Sequence, residues 1–236
     1  EWFEDHAGLD ESGKGDLFGP VISCCVIAPG AVVEGWMKAG IKDSKKLTDS
    51  KIAELEQLIR NTPGVIVKTT FARMAKYNEL HSRFGKNLNR LLGWMHATSC
   101  EEALKAYQEM HGKKPAWGLL DQFSEEPIVQ KELTRKGVEF DLRMRTKAES
   151  DPVVAAASIV ARATFVRELN RLSVDGGVTL PKGSGAEAKK AATELVERLG
   201  PAILINFAKL HFKTAYEARG LEPPAPKPFK GRRPAE

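Results

Sequence analysis

The sequence holds only three cysteines in 236 residues, two of them adjacent at Cys24 and Cys25. That excludes a disulfide-framed secreted scaffold. Adjacent cysteines alternate faces on a strand, which suits small buried thiols in a reducing compartment. No stretch approaches the roughly 18 apolar residues that a membrane span needs, and no signal peptide is visible. A soluble, cytoplasmic protein with no membrane partner is expected. The histidines His6, His81, His96, His111 and His211 show no metal-ligand spacing. There is no G-x-S-x-G elbow and no cysteine in a catalytic context, so serine or cysteine nucleophile chemistry is not expected. A single-sign charge excess is also missing from the body of the chain. Net charge is +5, but residues 201–236 hold seven Lys/Arg against three acids, which is +4 of it. Bulk charge permits a polyanionic partner without identifying one.

A hydrophobic content of 42% is enough for a sizeable core. HAGLDES (6–12) and FGPVISCCVIAP (18–29) read as two strands joined through a glycine turn. LTDSKIAELEQLIRN (47–61) has helical spacing at Ile52, Leu55 and Leu58, with Thr48 or Asp49 as cap. GVIVKTTFA (64–72) alternates as a strand does, and residues 87–110 read as a long helix. AWGLLD (116–121) is a buried strand ending in an acid, and VEFDLRM (138–144) alternates as another. ESDPVVAAASIVARATFVRELNRL (149–172) is a helix, with Asp151 as cap and Pro152 at its first position. Further helices are expected near 185–198 and 201–211. The order strand, strand, helix, strand, helix, strand, helix, strand, helix predicts an α/β domain with a mixed sheet over residues 1–218. Residues 219–236, rich in proline and basic residues, form a flexible tail in this reading.

In LDESGKGDLFGP, Leu9 to Pro20, a carboxylate pair precedes a glycine-rich turn. Gly13, Gly15 and Gly19 do not complete a dinucleotide loop, because the third glycine falls one place late, and no Lys-Ser or Lys-Thr follows for a triphosphate loop. An ordinary hairpin connection explains these glycines by themselves. The acids suggest more. Metals that cleave phosphodiesters are hard cations with oxygen ligands, and a pair of them needs carboxylates converging from different elements. Asp10 and Glu11 lie at a strand end, Asp121 closes a buried run, and Glu149 precedes a helix start. On placement alone the same residues serve equally as turn residues, a loop cap and a capping arrangement. Lys45 and Lys46, in KDSKKLTDSK, lie on a basic turn that is either a solvated face or a phosphate contact.

Taken together these segments resemble the type 2 ribonucleases H, ribonucleases HII and HIII. LDESGKGDLFGP is similar to the family's Asp-Glu-x-Gly-x-Gly motif and KDSKKLT to its Asp-Ser-Lys-Lys segment. LLD at 119–121 is similar to its third-acid strand, and TKAESDPVVAAASIVAR to the segment bearing its fourth acid. Glu149 as that acid, YNELHSRFGKNLNRLLGWMHA, LPKGSGAEAKKAA and AKLHFKTA resemble ribonuclease HIII in particular. Ribonuclease HIII proteins usually carry an extra N-terminal substrate-binding domain, whereas the sequence here begins close to the first acid pair.

The resemblance implies an RNase H-like fold: a five-stranded mixed sheet flanked by helices, its second strand antiparallel, with extra C-terminal helices. It implies that Asp10, Glu11, Asp121 and Glu149 hold two Mg²⁺ or Mn²⁺ ions. The substrate would be an RNA/DNA hybrid, met across its minor groove by Gly13, Lys14 and Gly15. Lys45, Lys46, Ser158 and Arg162 are candidates for further phosphate contacts, each pair equally open to a structural role. A monomer is expected. The alternatives are incision at single ribonucleotides in DNA, as in ribonuclease HII, and a non-catalytic hybrid-binding module.

Overall fold

The computed structural model describes residues 2–42 and 44–225. Strand β1 (His6–Ser12) pairs antiparallel with β2 (Ile22–Ala28), and β2 antiparallel with β3 (Ile66–Thr70). On its other edge β1 runs parallel to β4 (Trp117–Asp121), and β4 parallel to β5 (Leu142–Arg145). The sheet order is β3-β2-β1-β4-β5, so β1 is central. This is the expected five-stranded mixed sheet with an antiparallel second strand.

All seven residues of β2 are buried, because helices cover both sheet faces. Side chains of a strand alternate between faces. Cys24, Val26 and Ala28 join one core with helix α6 (Pro152–Gly176), while Cys25 and Ile27 join another with helix α4 (Leu88–His111). All three cysteines are free and buried. Helix α6 approaches closely because its first turns are small, Ala155 to Ala157, and because β1 has Gly8 opposite. A Cβ at Gly8 would lie 2.4 Å from Val153 C and Val154 N. Asp151 caps α6 through Oδ1, which accepts from Val153 N–H at 2.8 Å and Val154 N–H at 3.3 Å, and Pro152 sits in the first turn.

Helix α2 (Asp49–Asn61) is capped by Thr48, and α4 by Asn87. Helix α5 (Ile128–Arg135) precedes β5, and α7 (Ala186–Leu199) and α8 (Lys213–Ala218) lie near the C-terminus. Three helices, α1, α3 and α8, had no counterpart in the sequence reading. Helix α1 (Gly30–Ala39) starts on Pro29 with no side-chain cap of its own; instead Asp5 Oδ1 accepts Gly30 N–H at 3.0 Å. Helix α3 (Met74–Arg83) also lacks a local side-chain cap. The helix expected over 201–211 is instead a 3-10 turn at 201–206. Beyond it the backbone groups of Phe207 and Lys209 bond to residues 17–19, and Ala208 bridges Phe18. Strand β5 is shorter than expected because Val138 N–H is drawn back to Leu133 O at the end of α5. Residues 226–236 of the expected tail lie outside the described residues.

Candidate metal centre

Asp10 and Glu11 stand at the C-terminal end of β1, and Asp121 ends β4 beside them. The parallel register pairs Leu9 with Leu120, so Asp10 and Asp121 are next in line on neighbouring strands. Alternation then sends Asp10 and Glu11 to opposite faces. Asp10 meets Ser158 on α6, and Glu11 meets His96 on α4. Ser158 Oγ is 2.8 Å from Ser44 Oγ, which leaves the Ser158 hydroxyl to donate to Asp10. His96 Nε2 donates to Glu11 Oε2 at 2.8 Å, and Nδ1 accepts from Ser23 Oγ at 3.0 Å. His96 is fully buried, and Phe123 stacks on it at 5.5 Å.

Glu149 arrives from β5 through a 3-10 turn, Ala148–Ser150. Lys147, at φ 56°, turns the chain into it in the left-handed region, which costs energy for a residue with a Cβ. The turn is tied to β4 because Ala148 N–H donates to Asp121 Oδ1 at 2.9 Å. Glu149 Oε1 lies 3.8 Å from Lys45 Nζ. Its Oε2 is buried and has no hydrogen-bond partner among the described residues.

The electrostatics of the group are unfavourable by themselves. Burial pushes the Asp10 carboxyl well above the usual range, and the Glu11 and Asp121 charges push it further, against Ser158 and the Glu11 amide. Burial also raises Asp121, with Glu149 and Glu11 adding to it and the Ala148 amide opposing. Asp10 is buried and Glu11, Asp121 and Glu149 are part-buried, and like charges so placed are costly. Among the described residues no three such side chains are drawn closely enough to hold an ion unaided. They nonetheless suit a hard cation: the donors are all carboxylate oxygens, they repel one another, and Glu149 Oε2 is buried without a hydrogen-bond partner among the described residues.

Asp10, Glu11 and Asp121 line a cleft of about 480 Å³, with Gly13, Lys14 and Gly15 on its rim, whereas Glu149 is not among its lining residues. Gly13 has φ 95°, and a Cβ there would lie 2.5 Å from Pro20 O, so its glycine is demanded by the loop itself. Gly15 is different, with nothing within 4 Å of a would-be Cβ. Its open face is available to a ligand backbone. Lys14 Nζ lies 5.6 Å from the centroid of the Phe123 ring. Ser158, Arg162 and Lys45 also line the cleft. The Arg162 guanidinium donates to Ser44 O and to Asp49 Oδ1, at 3.1 Å for the latter, so it holds the wall of the cleft. Lys46 is exposed and does not line it. Sequence reasoning missed His96, which has no spacing signal because it reaches Glu11 across a helix-sheet interface. It also missed Lys182, which lines the cleft and pairs with Asp49.

Comparison with known proteins bears on this arrangement. Residues 7–215 match the family described as Ribonuclease HII. The chain belongs to the ribonuclease HII family. Its curated relatives place it on the HIII side. The protein named Ribonuclease HIII of Protochlamydia amoebophila is 39% identical over 209 residues, 89% of this chain and 66% of that protein. The one from Chlamydia pneumoniae is 39% identical over 88% of this chain and 67% of that protein. The chain thus spans about two thirds of the length of these relatives. The crystal structure of Bst-RNase HIII in complex with Mn²⁺ superposes with a TM-score of 0.83 at 29% identity, covering 92% of this chain and 70% of that one. Membership of the ribonuclease HII family makes the chain a ribonuclease H-type hydrolase, and the relative with Mn²⁺ shows that a divalent cation binds within this family.

Proposed function

We propose that the chain is a metal-dependent endonuclease that hydrolyses the RNA strand of RNA/DNA hybrids, leaving 5′-phosphate and 3′-hydroxyl ends. The observation that carries this reading is a group of acids, Asp10 buried and the others part-buried, in which neighbouring carboxylates push Asp10 and Asp121 up and Glu149 Oε2 has no hydrogen-bond partner among the described residues. Asp10, Glu11, Asp121 and Glu149 would hold Mg²⁺ or Mn²⁺. Bound there, such cations supply Lewis acidity for preparing water and for steadying a departing 3′ oxygen.

The chain's own groups account for the rest. His96 fixes the rotamer of Glu11 by its 2.8 Å hydrogen bond. Ala148 N–H fixes Asp121. The open face of Gly15 lets backbone come within hydrogen-bond range of a ribose, and the 2′-hydroxyl is what separates RNA from DNA at such a contact. Lys14 and Lys45 offer charge to phosphates on either side of the acids. Ser158 and Arg162 support the wall that a phosphate would meet, and Lys46 serves at most the periphery. A chain acting alone as a monomer in the cytoplasm fits this reading.

The test is cleavage of a continuous RNA/DNA hybrid beside a DNA duplex with one embedded ribonucleotide, with Mg²⁺, with Mn²⁺ and with chelator. Cation-dependent cutting of the hybrid at internal RNA positions is expected. Cutting only at the single ribonucleotide would transfer the activity to the HII type. Hybrid binding with no cleavage under any cation would overturn the nuclease reading.

A further inference from the structure

Lys209 is fully buried, yet among the described residues no carboxylate lies within ion-pair distance of it. Its Nζ donates to two backbone carbonyls, Asp16 O at 2.7 Å and Gly19 O. The rings of Tyr77, Phe165 and Phe212 surround it at 5.8, 6.0 and 5.9 Å. Burying an ammonium without an acid is expensive, and a residue of similar volume without the charge is cheaper to bury. Something other than packing therefore accounts for the choice of lysine here.

Both carbonyls belong to the loop between β1 and β2, residues 13–21, the loop that carries Gly13, Lys14 and Gly15. This loop is not a tight hairpin. Gly13 and Gly19 both take positive φ, so the backbone has little stiffness of its own. Its shape is imposed from the C-terminal region. Leu17 N–H donates to Gly183 O at 2.9 Å, and Gly183 N–H to Asp16 Oδ1 at 2.6 Å. Gly19 N–H donates to Phe207 O at 3.1 Å, and Lys209 N–H to Leu17 O at 2.8 Å. Lys209 Nζ then closes the far side by gathering Asp16 O and Gly19 O onto one point. Phe165 packs under Gly13 and Gly19, so a shift of the carbonyls moves the glycines with them.

We propose that Lys209 is a positioning residue for the Gly13–Gly15 loop, setting how closely that loop approaches the RNA strand and hence how well the protein separates ribose from deoxyribose. The proposal rests on the reading of the loop as the RNA-strand contact. It places a determinant of substrate choice in the C-terminal segment, almost 200 residues from the loop it controls.

The test uses Lys209→Met, which keeps length and volume and removes the donors. Binding of an RNA/DNA hybrid and of a DNA duplex of the same sequence is measured in chelator, so that nothing is cut. Amide hydrogen exchange at Leu17 and Gly19, thermal melting, and kcat and KM with Mn²⁺ are measured alongside. The expected result is a hybrid-over-DNA preference reduced about tenfold, a KM raised about tenfold with kcat within about threefold, and faster exchange at Leu17 and Gly19 only. Melting should not fall. Lys209→Gln, whose amide still donates, should retain part of the preference, and it carries the test if the Met variant does not fold. Unchanged preference together with unchanged exchange would overturn the proposal, and so would a proportionate loss of stability and kcat. If the wild-type protein shows no hybrid preference, the functional reading fails; exchange at Leu17 and Gly19 then still decides whether Lys209 orders the loop.

Discussion

Glu56 and Asp10 are both buried acids, 1% and 9% exposed, and both meet helix α6. Their surroundings are opposite. Burial alone would raise Glu56, but hydrogen bonds and charge from Arg167 and Arg60 outweigh it and hold its carboxyl below the usual value. Arg167 reaches both carboxylate oxygens and Arg60 one of them. Asp10, further up the same helix, meets a serine and two more acids, and its carboxyl is held well above the usual value. The chain had arginine available for α6 and placed it at Glu56. One acid joins α2 to α6; the other stands beside Glu11 and Asp121, and in the function proposed above these three and Glu149 hold a cation. Buried charge alone therefore does not mark a functional site. In that reading, an acid pushed up by neighbouring acids is the better mark of one.

The comparison breaks most visibly on cleavage. Asp10→Asn should lower hybrid cleavage more than about a thousandfold, on the scale of removing a member of a catalytic unit. Glu56→Gln should leave cleavage per folded molecule within about threefold. Equal losses in the two variants, measured on protein of matched folded fraction, would erase the distinction.

A smaller effect is expected one step behind the acids. His96→Ala should weaken Mn²⁺ binding and cleavage about 10- to 100-fold, the range for removing a partner of a metal ligand. The check is a Mn²⁺ titration of the variant beside the wild type. A fall in cleavage with unchanged Mn²⁺ affinity would remove His96 from this role.

Stability should separate the two acids by sign, measured by chemical denaturation without divalent cation. The folded-state pKa of Asp10 is raised, so the unfolded chain gives up its proton first as pH rises. The group therefore costs stability above the ordinary carboxylate pKa and nothing well below it. Asp10→Asn should be as stable as the wild type near pH 3 and more stable at pH 7. The folded-state pKa of Glu56 is lowered, so its contribution is present at pH 7 and lost as pH falls through the folded value. Glu56→Gln should lose about 1–3 kcal/mol at pH 7, discounted from the buried-pair range because both arginines keep solvent access, and nothing at low pH. Lys209 behaves differently again. Burial pulls it down to about 7, with the charge of Asp16 opposing; Tyr77 and His211 lie beside it, and His81 stacks on His211. Below that pH its charge is buried at full cost, so Lys209→Met should gain most below pH 7 and progressively less between pH 7 and 10.

The smallest effects concern the rim lysines. Lys14→Ala should lower the salt dependence of hybrid binding by about one phosphate contact. Lys46→Ala, outside the cleft, should change hybrid affinity less than about twofold. Equal effects of the two would mean that position in the cleft does not decide phosphate contact.

The places of the acids were legible in the sequence, since Asp10 and Glu11 close a strand, Asp121 closes an apolar run and Glu149 precedes a capped helix start, but placement alone did not group them and the family resemblance did. The five strands and the long helices were legible from period and caps. What was not legible depends on distant partners. Helix α1 is capped by Asp5 from before β1, and the C-terminal segment abandons helix geometry because its backbone bonds go to residues 17–19. His96 and Lys209 carry no local pattern, since each acts on a residue reached only through the fold. Lys46 was grouped with Lys45 by adjacency, and one turn of chain sends them to different places.

Calorimetric titration of Mn²⁺ into the wild-type protein and into Glu149→Gln tests the central claim most directly. The account predicts that Mn²⁺ binds the wild type and raises its melting temperature, and that the variant binds at least about tenfold more weakly. Equal affinity in the two proteins, or no binding to the wild type, would contradict it.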